Sequence, residues 1–225
     1  MELKPSSVRG TTLFRGLTDE DIQKMGECIT ARERVYERGS FIFHTGDDVR
    51  SVYYIISGSV HILDEDFWGN RSIIEVMGKD ILFGEAYVFS AMESHLVSVV
   101  AAENSVILEI DPKTLFETCP KQCECHMQLV RNVLSIVSTK IVRLTEKMIY
   151  VTQRSIRDKL LLYLSKCAQK AKSNSFDILY SRQQLADYLC IDRSALSHEL
   201  SRMQKQGLLK YNKHHFELLG EHGKM

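Results

Sequence analysis

Proline is scarce. Only three of the 225 residues are proline, and none follows Pro120, so the remainder of the chain holds neither a proline-broken helix nor a proline-rich linker. Long apolar runs are also missing: no stretch approaches the roughly 18 to 20 residues that a membrane span requires. No charged-then-apolar opening ends in a small-residue cleavage site. A cytoplasmic protein with no membrane partner is the expectation. Net charge is absent too, with 29 Lys and Arg against 29 Asp and Glu, which argues at first sight against a polyanionic partner. Neither a nucleophile beside its base nor a phosphate loop stands out, so an enzyme is not expected.

The even balance conceals an asymmetry. From Val151 onward there are 13 basic residues against 7 acidic ones, and the preceding 150 residues hold 16 against 22. A basic C-terminal module on an acidic body suits a domain that meets a polyanion while the rest does something else. A hydrophobic fraction of 44% is enough to build real cores, and the length favours two domains.

The opening "LTDEDIQKMGECI" predicts a short helix, with Thr18 as N-cap and acids in the first turn. Between Arg34 and Ile110 the pattern turns to short runs rich in Val, Ile, Tyr and Phe, "ILFGEAYVF" among them, separated by Gly, Asp or Asn. Close regular spacing of such runs predicts a small barrel or sandwich. Asp111 and Pro112 predict a brief helix through about Glu117, and Pro120 is expected to open a longer one. There Val130, Val133, Val137, Ile141, Leu144 and Met148 recur three or four apart. Such a stripe either docks on its own domain or pairs with a second copy, and a dimer interface is the expectation.

After Val151 the reading is helical again, ending in "LLKYNKHHFELLG", a hairpin around Asn212. Ser181 and Gln184 form a capping box before one helix. Ile191 and Asp192 are read as the turn, and Leu196, Leu200 and Met203 as the inward stripe of the next helix. Its other face carries Arg193, Ser194, Ser197, His198 and Arg202, residue types that read base edges in a major groove. Ser181, Arg182 and Gln183 are expected to meet phosphates at the start of the preceding helix. Double-stranded DNA is the expected partner.

Taken together these stretches resemble the Crp/Fnr family of bacterial transcription regulators. "ERGSFIFHTGDDVRSVYYIISGSVHIL" is similar to the family's first roll strands, "FGEAYVF" to the start of its nucleotide-phosphate cassette, and "SRQQLADYLCIDRSALSHELSRMQKQGLL" to its DNA reader. The likeness spans roughly residues 12 to 219. It implies an α+β chain: an N-terminal antiparallel β-roll (a jelly-roll, or double-stranded β-helix) as effector domain over residues 1–118, a long dimerisation helix over 119–150, and a winged helix-turn-helix domain over 151–225. It also implies a homodimer on a palindromic operator, with RNA polymerase as a further partner.

The resemblance places an effector site at Gly84, Glu85, His95 and Leu96. Members that bind cyclic AMP carry an Arg followed by Ser or Thr where this chain has His95 and Leu96, so cyclic AMP is not the expected effector. The effector itself is unknown. A second possibility lies in "TCPKQCECHM": on a helix, Cys119, Cys123 and His126 fall on one face and could ligate a metal or respond to oxidants. The family's oxygen-sensing branch holds an iron–sulfur cluster mainly through N-terminal cysteines, and this chain offers only Cys28 there. Packing of small hydrophobic thiols is the bland alternative. From another functional class, a ligand-binding module acting on a protein partner would have the same roll but no use for Arg193 and His198.

Overall fold

Thr18 begins a helix because its hydroxyl accepts the Asp21 backbone N–H while the Asp21 carboxylate accepts the Thr18 N–H at 2.9 Å. In the computed structural model, which describes residues 4–66, 68–90, 97–116 and 123–219, this α2 (Asp19–Met25) follows a single turn, α1 (Pro5–Val8). Ile22 and Met25 point inward. The chain divides into two compact units, Met1–Thr139 and Lys140–Met225.

In the first unit, β1 (Ala31–Tyr36), β2 (Phe41–Phe43), β3 (Val52–Ser57), β4 (Val60–Glu65), β5 (Arg71–Met77) and β6 (Leu82–Phe83) precede a short α3 (Glu85–Phe89). Then come β7 (Ser98–Ala101), β8 (Ser105–Ile110), α4 (Pro112–Phe116) and the start of α5 (Glu124–Val151). The strands form two four-stranded antiparallel sheets, ordered β1-β8-β3-β6 and β2-β7-β4-β5, as expected of a β-roll. Of the run "ILFGEAYVF" only Leu82 and Phe83 are extended, a correction to the strand expected there. Gly84, at φ +82°, turns the chain out of the sheet, and the next five residues coil into α3.

Strand β3, "VYYIIS", is apolar on both faces because it divides two cores. Tyr54 and Ile56, with Leu108 and Ile110, face a layer formed by Phe14, Ile22, Met25, Leu129 and Val133. Tyr53 and Ile55, with Ile107, face the roll interior among Phe43, Phe83 and Val99. One polar network crosses the helical side. The Tyr54 hydroxyl donates to Asp80 at 2.6 Å and accepts the Leu13 N–H at 3.3 Å. Asn132, buried on α5, donates to the carbonyls of Leu13 (2.8 Å) and Arg15 (2.9 Å). A buried amide without those partners would cost about 1–3 kcal/mol.

The apolar stripe of α5 is not used uniformly. Val133 is buried in the core of its own unit, with Val137 packed against it and Val130 half-buried. Ile141, Leu144 and Met148 are exposed, as are Val142 and Ile149 beside them. Among the described residues, no helix is long and apolar enough to cross a membrane.

The second unit takes the tail of α5 and adds α6 (Ile156–Ala171), β9 (Ser175–Asp177), α7 (Arg182–Tyr188), α8 (Arg193–Lys205), β10 (Leu209–Asn212) and β11 (His215–Leu218). Ser155 caps α6 by accepting the Asp158 N–H at 3.0 Å. The strands form a three-stranded antiparallel sheet, β10-β11-β9. Leu160, Leu164, Leu185, Leu196, Leu200 and Phe216 are fully buried, each Leu worth about 1.5–3 kcal/mol of transfer free energy. Tyr150, Tyr163, Tyr180 and Tyr188 pack together in edge-on and tilted ring contacts. Burial holds the Tyr188 phenol up at about 12, so it stays neutral there.

Candidate nucleic-acid interface and sensor pocket

The second unit presents one helix outward by fixing it from beneath. Ser181 and Gln184 form the capping box of α7: the Ser181 N–H donates to Gln184 Oε1 at 2.9 Å, and the Gln184 N–H to Ser181 Oγ at 3.3 Å. The turn after α7 bends at Cys190, which adopts φ +51° without being glycine, and the Ile191 N–H returns to the Ala186 carbonyl at 2.9 Å. Asp192 then caps α8, its Oδ1 accepting N–H groups from Ser194 (2.8 Å) and Ala195 (3.0 Å). The Ser194 hydroxyl and these N–H groups hold the Asp192 carboxyl below its ordinary value.

Leu196, Leu200 and Met203 seat α8 in the core with no exposed surface. Arg193, Ser194, His198 and Arg202 are exposed on its other side, and Ser197 is half-buried, its hydroxyl donating to the Arg193 carbonyl at 3.0 Å. Arg202 pairs with Glu199 at 3.1 Å, which fixes the direction of its guanidinium. On α7, Gln183 is exposed and donates to Asp187 at 2.8 Å.

Arg182 has a different setting from its neighbours. Its guanidinium lies 5.0 Å from the Tyr211 ring centre and 5.6 Å from that of Phe216, and Nη2 donates to the Lys213 carbonyl at 3.3 Å. Burial pulls its pKa down. It ties the start of α7 to the hairpin β10–β11, whose turn carries Lys213 at φ +53° and His214. The hairpin expected around Asn212 also carries Lys210, Lys213 and His214, which are not among the DNA contacts expected from the sequence. The cluster "LKYNKHH" was the signal available for them.

In the first unit, Gly84 and Glu85 stand at the start of α3, and Glu85 is 7% exposed. A Cβ at Gly84 would lie 2.8 Å from the Tyr53 ring and 3.1 Å from the Ser51 carbonyl oxygen, so only glycine fits. His95 and Leu96 lie outside the described residues. The roll interior is occupied by rings: Phe43 lies 5.8 Å from Tyr53, 6.4 Å from Phe83 and 6.2 Å from Tyr87, and Tyr53 stacks on Phe83 at 5.1 Å. Burial raises the Tyr53 and Tyr87 phenols above their ordinary value. A groove of about 840 Å³ opens beside α3, lined among others by Arg32, Arg34, Arg50, Tyr87 and Glu109. Arg34 pairs with Glu109 at 3.0 Å, and Arg50 with Asp48 at 2.6 Å.

Of the cysteine cluster, Cys119 lies outside the described residues. Cys123 and His126 point to different partners: the Cys123 sulfur is 4.0 Å from that of Cys28, and His126 Nε2 is 2.8 Å from the Leu115 carbonyl oxygen in the core. Among the described residues no group of three His, Cys, Asp or Glu side chains is placed to hold a metal ion.

Comparison with known proteins agrees with both units. Residues 33–122 match the model of the cyclic nucleotide-binding domain, and residues 159–222 that of the Crp-like helix-turn-helix domain. The chain is 24% identical over 211 residues to the transcriptional activator protein anr of Pseudomonas aeruginosa, covering 92% of this chain and 84% of that protein. It is 24% identical over 200 residues to the regulatory protein HlyX of Actinobacillus pleuropneumoniae, covering 86% and 80%. Among solved structures, the c-di-GMP responsive global regulator CLP of Xanthomonas campestris shares the fold, with a TM-score of 0.55 at 20% identity over 91% of this chain and 100% of that one.

Proposed function

Because the chain belongs to the Crp/Fnr family and is a DNA-binding transcription regulator with a sensing domain, we propose how its own residues divide that work. Residues 151–225 read DNA, residues 119–150 pair two copies, and residues 1–118 receive a signal in the cytoplasm. The observation that carries the reading is α8, a helix fully buried along Leu196, Leu200 and Met203 and exposed along Arg193, Ser194, His198 and Arg202. Laid in a major groove, its first turn would meet base edges: Arg193 suits guanine bidentately, and Ser194, Ser197 and His198 supply less discriminating bonds. Ser181 and Gln183 at the start of α7, with Lys213 on the hairpin, are suited to phosphates. Arg182 supports them indirectly, by holding hairpin to helix.

Two copies joined through Ile141, Leu144 and Met148 would present two α8 helices to half-sites one helical turn apart. RNA polymerase is a further partner in this reading, and the protein acts by binding and not by covalent chemistry. The ring-filled roll interior supports an effector other than cyclic AMP, and the groove beside α3, lined by Arg32, Arg34, Arg50 and Tyr87, lies next in the chain to Gly84 and Glu85 at the start of that helix. The resemblance adds His95 and Leu96, which lie outside the described residues, to the proposed effector-binding residues.

The experiment is selection of bound fragments from a random DNA pool. An enriched inverted repeat is expected, and the double variant Arg193→Ala, His198→Ala should bind it no better than unrelated DNA while staying folded. A pool that never enriches, or a variant that enriches the same repeat, would remove this assignment. A module that acted on a protein partner would be indifferent to both substitutions.

A further inference from the structure

Two half-exposed thiols face each other where α2 ends and α5 begins. Cys28 sits in the turn after α2, its N–H bonded to the Met25 carbonyl at 2.9 Å. Cys123 immediately precedes α5, its carbonyl accepting the His126 N–H at 3.2 Å. Both backbones are thus held by the hydrogen bonds of a helix end. The sulfurs are 4.0 Å apart across 95 positions of sequence, and a side-chain movement of about 2 Å would bring them to disulfide length.

Accessibility singles out this pair. Cys28 and Cys123 are half-buried, within reach of a small oxidant, whereas Cys125 is buried in the core that both border. Burial and the adjoining Cys123 sulfur push the Cys125 thiol up, so it remains protonated and a poor nucleophile. Among the described residues no group of three His, Cys, Asp or Glu side chains is placed to hold a metal ion. Two thiols opposed at 4.0 Å are placed for oxidation to a disulfide.

We propose that Cys28 and Cys123 form a reversible intrachain disulfide when the protein meets a peroxide. The thiolate of one cysteine attacks a peroxide oxygen; the O–O bond breaks, one water leaves, and a sulfenic acid forms. The second thiolate attacks that sulfur, the S–O bond breaks, the S–S bond forms, and a second water leaves. Two electrons pass from the thiol pair to the peroxide, and the two thiol protons end in the waters. A dithiol reductant reverses the bond by exchange. The product staples the end of α2 to the first turn of α5. That this alters regulation rests on the DNA-binding reading above; the bond itself does not.

The test uses the full chain, reduced, treated with hydrogen peroxide, quenched with an alkylating reagent and mapped by mass spectrometry. Expected are the loss of two hydrogen atoms per chain, one linked peptide pair containing Cys28 and Cys123, and reversal by dithiothreitol. Cys28→Ser and Cys123→Ser should each abolish the link and Cys125→Ser should keep it, with circular dichroism checking that each is folded and Cys28→Ala standing in if the serine variant is not. Full alkylation of both thiols after peroxide, or a link from either to any other cysteine or to a second chain, would overturn the proposal. Affinity for the selected DNA is then compared between the two forms, and a change of about fivefold or more is expected. Equal affinities would remove the regulatory consequence, and absence of binding in both forms would count against the DNA-binding reading instead.

Discussion

The guanidinium of Arg182 stacks 5.0 Å from the ring centre of Tyr211, clamping the first turn of α7 to the hairpin. Cation–π contact of a partly desolvated guanidinium is worth up to about 2 kcal/mol, and Lys cannot reproduce its planar fork. Arg182→Ala should lower the unfolding free energy of the second unit by about 1–2 kcal/mol, and Arg182→Lys should recover less than half of that. Urea denaturation followed by tyrosine fluorescence measures both; an unchanged midpoint in Arg182→Ala would show that the clamp contributes nothing.

Cys190 occupies a left-handed backbone conformation that costs a non-glycine residue about 1–2 kcal/mol. Glycine relieves this but gains freedom in the unfolded chain, so Cys190→Gly should be neutral to stabilising, by up to about 1 kcal/mol. The same titration checks it, and a clear loss of stability would mean that the Cys190 side chain makes a contact worth more than the backbone cost.

Gly84→Ala sets a methyl group against the Tyr53 ring and the Ser51 carbonyl at a positive φ. A destabilisation of the first unit by about 1–3 kcal/mol is expected. Hydrogen exchange should report it first at the amides of β3 and β6. Wild-type protection there would show that α3 shifts aside at no cost.

Leu144 is 51% exposed and Met148 62% exposed on the same stretch of α5. If that stretch pairs two copies, Leu144→Asp introduces a buried unpaired charge and should raise the dimer dissociation constant by about a hundredfold, in the range of an interface hot spot. Sedimentation as a function of concentration decides it: a variant that remains dimeric at wild-type concentrations places the interface elsewhere.

The Asp192 carboxyl, held below its ordinary value by Ser194 and the N–H groups of α8, gives a signed pH dependence. Its folded-state pKa is depressed, so its stabilisation is complete above the unfolded value of about 3.9 and is lost as pH falls through the folded value. Asp192→Asn keeps a capping oxygen but cannot titrate. It should flatten the acid side of the stability curve below about pH 4, as read from exchange at the α8 amides. An unaltered curve would mean that other carboxylates set it.

The capping box at Ser181, the inward leucines of α8 and the basic character of the tail could all be read from the sequence because each depends on neighbours three or four positions away. That β3 is a strand was legible for a similar reason, whereas the two cores covering its faces were not. What escaped depends on folding. That Val133 docks into its own unit while Leu144 does not is set by where the roll ends, and the stripe looks continuous in sequence. Arg182 reads as a phosphate contact until the hairpin brings Tyr211 beneath it. The bend at Cys190 carries no glycine to announce it. Cys28 and Cys123 become neighbours only through the packing of α2 on α5, and the three-residue ligand set drawn on a helix wheel could not include a thiol so distant in the chain.

Asn132 has a practical consequence for anyone handling the protein. The partners of its buried amide are the main-chain carbonyls of Leu13 and Arg15, so point changes of those two side chains leave the bonds intact, whereas removing the segment orphans them. A truncation that trims the first fifteen residues, or an affinity tag that pulls them from their seat, would strip α5 of polar partners that no substitution along α5 itself can restore. Affinity tags belong at the other terminus, and a shortened clone that behaves poorly should be judged by this loss before its regulatory properties are interpreted.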